Sequence, residues 1–271
     1  MPELPEVETT RRGIAPVIEG EQIQNIVIRQ PRLRWPVPDG LAELLKGRRV
    51  LAVERRGKYL LLRTGEGVLI VHLGMSGSLR ILPADRTPGK HDHIDVIFAN
   101  QTMLRFNDPR RFGAFLWSSE AVFDHPLLKN LGPEPLDADF DGSQLHASAY
   151  NRKIPIKSFI MDSHVVVGVG NIYANEALFR AGIRSTRPAG RISLARYKRL
   201  ADCIRFVLEN AIRQGGTTLR DFVNENGKPG YFRQQLKVYG RGGLPCPACG
   251  KSLTEIRLAG RSTVFCKYCQ R

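Results

Sequence analysis

Tyr59-Leu60-Leu61-Leu62-Arg63-Thr64-Gly65-Glu66-Gly67-Val68-Leu69-Ile70-Val71-His72-Leu73 is two strand-length apolar runs joined through a Gly-Glu-Gly turn. Runs of this length, bounded by glycines, signal a β-hairpin. The same grammar continues on both sides. Ile23–Arg29, Val50–Arg55, Ser78–Leu82, Ile94–Phe98, Thr102–Phe106 and Gly113–Trp117 are further strand candidates, with Ala99-Asn100-Gln101 as a second tight turn. Many short strands at close spacing between Gln22 and Ser119 predict an antiparallel β-sandwich. Ahead of it, a helix is expected around Val7–Ala15, before Gly20.

After the Pro-rich stretch Leu131-Gly132-Pro133-Glu134-Pro135-Leu136 the hydrophobic period changes. From Ser193 to Gln214, Leu194, Tyr197, Leu200, Ala201, Ile204, Val207, Leu208, Ala211 and Ile212 recur at helical spacing, and Gly215-Gly216 follows. Cys203 lies beside that stripe and reads as a packing residue. Upstream, Val167-Gly168-Val169-Gly170 leads into Asn171, a good N-cap for a helix ending near Ala181-Gly182. Such an approach either leaves backbone N–H groups open to a phosphate or is simply a tight interhelix turn.

Cys246-Pro-Ala-Cys249 and Cys266-Lys-Tyr-Cys269 are separated by sixteen residues. That spacing belongs to zinc ribbons and offers four thiolates for a closed tetrahedral Zn2+ site. With no position left open the metal is structural, presenting Arg257–Arg261 from the intervening loop. Disulfides are the alternative, disfavoured in a reducing compartment.

Charge narrows the partner. The 271 residues carry 41 Lys+Arg against 26 Asp+Glu, a net +15, and from Lys228 onward nine Lys/Arg face one acidic residue, Glu255. A polyanion is implied, nucleic acid first. Neither an apolar span nor a secretory signal is present, so the expected location is cytoplasmic.

Pro2-Glu3-Leu4-Pro5-Glu6 at the N-terminus suits neither a helix interior nor a strand, and chemistry explains it better. Loss of Met1 turns Pro2 into a secondary amine. Its attack on a sugar carbon or aldehyde gives an iminium that has no N–H to lose, an electron sink. Glu3 is placed to move protons beside it. An ordinary strand-leading terminus is the competing reading. Lys58, at the entrance of the strand Tyr59–Arg63, is either solvated or catalytic. His72-Leu73-Gly74-Met75-Ser76-Gly77-Ser78 is a Gly-punctuated turn carrying a methionine. Asn107-Asp108-Pro109-Arg110-Arg111-Phe112-Gly113 combines guanidinium forks with an apolar plate able to enter a base stack. On a strand His91, His93 and Asp95 share a face, so a metal cluster competes there with a phosphate contact or a surface turn.

PELPEVE, HLGMSG, DPRRFG, VGVGNIY, GGTTLRDF and the four-cysteine finger with Arg261, in that order, resemble the bacterial formamidopyrimidine-DNA glycosylases, base-excision enzymes for 8-oxoguanine and ring-opened purines. The similarity runs from Pro2 to Arg271. It implies an α+β protein: a catalytic β-sandwich over residues 1–131, a helix–two-turn–helix domain over 132–236 and a zinc finger over 237–271. It also implies a monomer acting on double-stranded DNA that contains an oxidised purine, in the bacterial cytoplasm at the nucleoid. Carried over residue by residue, Pro2 is the nucleophile at C1′ of a flipped nucleotide and Glu3 its acid/base partner. Lys58 is the proton donor for β-elimination, Arg261 for δ-elimination. Met75, Arg110 and Phe112 fill the vacated stack, His91, Arg152 and Asn171 contact phosphates, and Thr217–Tyr231 covers the damaged base. The sister endonuclease VIII class, acting on oxidised pyrimidines, and a non-catalytic zinc-dependent DNA-binding protein are the alternatives. Leu4 and the intact DPRRFG argue against the first, and Pro2, Glu3 and Lys58 together against the second.

Overall fold

A computed structural model describes residues 2–119, 121–215 and 236–271. The segment Thr217–Tyr231, expected to cover a damaged base, lies outside the described residues. The described chain divides into two compact units, one of residues 2–129 and one of Asn130–Arg213 with 236–271.

In the first unit, helix α1 (Leu4–Ile18) precedes β1 (Ile23–Ile28), a short helix α2 (Leu41–Leu45) and seven strands: β2 (Ala52–Arg56), β3 (Tyr59–Thr64), β4 (Gly67–His72), β5 (Ser78–Pro83), β6 (Asp92–Phe98), β7 (Thr102–Asn107) and β8 (Ala114–Ser118). They form two antiparallel sheets, β1-β6-β7-β5 and β2-β3-β4-β8. Leu60, Leu62, Leu69 and Val71 from one sheet share a core with Ile94, Val96, Leu104 and Phe106 from the other, which is the predicted sandwich. All eight strands fall within two residues of expectation at each end. The hairpin Tyr59–Leu73 pairs Leu60 with Val71 and Leu62 with Leu69.

Helix α1 departs from expectation by beginning at Leu4 rather than Val7 and running on to Ile18. The first turn of a helix has no internal partner for its N–H groups, so Pro5 costs nothing there. The Glu3 N–H donates instead to Glu6 Oε2 at 2.8 Å, one arm of a capping box.

The second unit contains helices α3 (Gly142–Ser148), α4 (Ile156–Ile160), α5 (Asn171–Ala181) and α6 (Leu194–Arg213), then the hairpin β9 (Thr254–Leu258) and β10 (Arg261–Phe265). The predicted apolar stripe of α6 is buried, Cys203 included. In α5 the N-cap is Gly170, so Asn171 is the first helical residue rather than the cap. Arg257–Arg261, expected as a loop, is mostly strand: only Ala259 and Gly260 turn, both at positive φ (47° and 75°), joining Leu258 to its partner Arg261. No helix among the described residues is long and apolar enough to cross a membrane.

Candidate active site and metal centre

Pro2 and Glu3 are buried directly ahead of α1. Lys58 is the second residue of the two-residue turn Gly57-Lys58 between β2 and β3, directly at the entrance of β3. Gly57, at φ 57°, supplies the positive φ that a type II′ hairpin needs at its first central position. On α1, Glu8 accepts hydrogen bonds from Arg11, Arg12 and Arg55. Burial pushes the Glu8 carboxyl up, but the bonds from Arg11 and Arg12 and the charges of Arg11 and Arg55 prevail and hold it at about 2.

Sequence reasoning passes over His72, although it opens the HLGMSG motif. Its ring lies 4.8 Å from that of Tyr59, its cross-strand partner. Nδ1 accepts the Gly74 N–H at 3.0 Å, so a neutral ring carries its proton on Nε2. Burial, then the charges of Lys58 and Arg34, push the imidazole down to about 4. At pH 7 it is neutral.

The turns carrying Met75, Arg110 and Phe112 are tied together by Asp108, which is fully buried. Its carboxylate accepts from Ser76 Oγ at 2.7 Å, from the Gly113 N–H at 2.8 Å and from the Arg110 N–H at 3.3 Å. Gly74, at φ 66°, packs so closely that a Cβ would collide with the Phe112 backbone. Met75 is half-buried, Phe112 is 39% exposed, and the Arg110 guanidinium lies over the Phe112 ring at 4.9 Å. An apolar plate and a cation are thus presented side by side.

His91 is half-buried, and its carbonyl accepts the Asp108 N–H at 3.0 Å. The metal reading of His91, His93 and Asp95 is not supported. His93 Nε2 is 2.8 Å from the Asp108 carbonyl, and Asp95 is occupied by Arg105 and Arg29 at 2.8 and 2.5 Å. Among the described residues the four cysteines are the one group arranged for a metal.

In the second unit, Arg152 is exposed and Asn171 is half-buried at the head of α5. The Asn171 Oδ1 is buried without a hydrogen-bond partner among the described residues. Arg261 is exposed at the start of β10. A residue not anticipated from sequence supports it. Lys157, 1% exposed, donates from Nζ to the Ser262 carbonyl and to Thr263 Oγ1, both at 2.7 Å. Asn175 Oδ1 accepts the Val264 N–H at 2.9 Å, and the buried Glu176 carboxylate takes the N–H groups of Lys237, Val238 and Tyr239. These polar contacts fasten the finger to α4 and α5.

The cysteine sulfurs lie within 4.8 Å of one another, with Cys246–Cys269 at 3.9 Å and Cys249–Cys266 at 3.5 Å. A zinc tetrahedron with Zn–S of about 2.3 Å has sulfurs about 3.8 Å apart, so Cys246, Cys249, Cys266 and Cys269 fit one Zn2+ as a closed structural site. The thiols are free, which removes the disulfide alternative.

Three family models match in chain order: the formamidopyrimidine-DNA glycosylase N-terminal domain over residues 1–115, its H2TH domain over 131–223, and the zinc finger found in FPG and IleRS over 243–271. The chain belongs to the formamidopyrimidine-DNA glycosylase family. Members from Methylococcus capsulatus and Marinobacter nauticus are 62% and 60% identical to it over 271 residues, the whole of both chains in each case. Among solved members, the MutM (Fpg) protein of Thermus thermophilus superimposes with a TM-score of 0.89 at 40% identity, covering 99% of this chain and 98% of that one. The Lactococcus lactis Fpg in complex with abasic-site DNA gives 0.92 at 35% identity, covering 99% of both.

Proposed function

We propose that this protein is a bifunctional glycosylase and lyase that removes oxidised and ring-opened purines from double-stranded DNA. The observation that carries the reading is the buried Pro2-Glu3 pair at the head of α1, in the same unit as turn-borne Lys58, in a member of this family. Once Met1 is removed, burial favours the neutral prolyl amine by making its charged form costly. The nitrogen lone pair attacks C1′, the glycosidic bond breaks, and the base departs with a proton routed through Glu3. Ring opening of the sugar leaves an iminium on Pro2. Lys58 then serves the proton transfers of β-elimination, and Arg261 those of δ-elimination.

C1′ is unreachable inside the stack, so the nucleotide must be extruded. Phe112 wedges the gap with Met75, Arg110 faces the orphaned base, and His91, Arg152 and Asn171 hold phosphates. The Arg110–Phe112 pair, a cation over an apolar plate, suits contact with an opened base stack. Zinc, when bound, supplies no chemistry; it fixes the hairpin that presents Arg261. Residues 1–131 carry the nucleophile and the β-elimination donor, 132–236 and 237–271 grip the duplex, the latter also bringing Arg261, and the enzyme works as a monomer on cytoplasmic, nucleoid DNA. Borohydride trapping on matched duplexes tests the substrate class: an adduct on 8-oxoguanine:cytosine well above that on oxidised thymine is expected, and the reverse order would contradict it.

A further inference from the structure

We propose that Arg55, held by Glu8, is the positioning residue for Lys58 and locks the lysine's turn to the helix that Pro2 and Glu3 head. The inference rests on the roles assigned above to Pro2 and Lys58.

Three guanidinium groups converge on Glu8. Arg11 and Arg12 come from its own helix, at i+3 and i+4. Arg55 comes from β2, and its side chain is 10% exposed. Arg11 and Arg12 already hydrogen-bond both carboxylate oxygens from the same helix, so charge is not all that Arg55 brings from β2. What Arg55 adds is a second contact: Nε donates to Glu8 Oε2 at 3.1 Å, while Nη1 donates to the Gly57 carbonyl at 3.0 Å. That carbonyl shares one rigid peptide plane with the Lys58 nitrogen and Cα, so fixing it fixes the point from which the Lys58 side chain starts. One planar fork thereby bridges α1 and the catalytic turn.

Two more bonds stitch the same surfaces. Arg11 Nη1 donates to the Val53 carbonyl at 3.3 Å, and the Val53 N–H donates to Glu19 Oε1 at 2.7 Å. With α1 and β2 joined at three points, the helix bearing the nucleophile and the hairpin bearing the proton donor behave as one body. Elimination from the iminium requires this, because the lysine must reach atoms attached to the carbon that Pro2 holds. Misplacing a proton donor by about 1 Å can cost about a hundredfold. A lysine at position 55 keeps the charge but has a single nitrogen, which cannot serve both acceptors in the geometry of the fork.

The test uses the full chain under single-turnover conditions on an 8-oxoguanine:cytosine duplex, reading free base and strand scission in the same reaction. Their ratio does not change when part of the protein is unfolded, because both products then fall together. Arg55→Gln and Arg55→Lys are each expected to lower scission relative to base release by about tenfold, with the trapped fraction retained. In a Lys58→Ala background, Arg55→Gln should add nothing to the scission defect. An unchanged ratio in both Arg55 variants, or a full additional loss in the double variant, overturns the inference while leaving Lys58 in its role. A ratio unaffected by Lys58→Ala alone removes Lys58 as donor, and the inference falls with it.

Discussion

At the residue scale the proposed chemistry depends on a few side chains whose placement the fold sets. Lys58→Ala should slow strand scission by about a hundredfold, the usual reach of a positioned proton donor, while binding of damaged duplex changes little. Equal losses in both would mark Lys58 as structural. Arg261 is exposed on a braced hairpin, so Arg261→Ala should cost about one phosphate contact. The slope of log K against log salt should flatten by about 0.9, and β-eliminated product should accumulate. An unchanged slope and product pattern would remove Arg261 from the DNA. His72 is held neutral, with its pKa pushed down to about 4. Nitrogen-15 NMR should find its ring neutral throughout pH 5.5–8; a titration near the ordinary value of about 6.5 would contradict the burial argument.

At the scale of elements, Asp108 and Gly74 keep the Met75 turn and the Arg110–Phe112 turn in one arrangement. Asp108→Ala orphans the Ser76 hydroxyl and the Gly113 N–H in a buried place and should cost about 3 kcal/mol in urea unfolding. A loss below about 0.5 kcal/mol would show that those groups find other partners. The strands were legible because each is a short apolar run between turn residues, and the cysteines because their spacing alone defines a tetrahedral site. The start of α1 was not. Pro5 and Glu6 look hostile to a helix until the first turn is recognised as the place that tolerates both. Nor were the roles of Lys157, Asn175 and Glu176, whose partners lie far along the chain, at Ser262 and Thr263, Val264, and Lys237–Tyr239. The four-cysteine spacing announces a zinc finger but not the polar bonds that attach it.

At the scale of the whole molecule, a net charge of +15 favours capture of a polyanion, and the two units answer differently to perturbation. Stripping zinc should abolish duplex binding and remove the second unit's calorimetric transition, while the sandwich, with its own core, still melts in its own transition. Loss of both transitions together would contradict independent cores. Acid probes the first unit. Glu8 is held at about 2 against an ordinary value near 4.5, so its stabilisation is present above pH 4.5 and is lost as pH falls towards 2. The stability gap between the native protein and Glu8→Gln should therefore close over that interval; a gap constant from pH 5 to 2 would show that Glu8 does not act through its charge.

Every step of the proposed chemistry begins with the nitrogen of Pro2, freed of Met1, as the nucleophile. Borohydride-trapped complex on an 8-oxoguanine:cytosine duplex, digested and mapped by mass spectrometry, tests it most directly. The expected product is an N-terminal peptide that lacks methionine and carries the reduced sugar on Pro2. An adduct on a lysine, Lys58 before others, or a methionine still attached to Pro2 in the trapped protein, would contradict it.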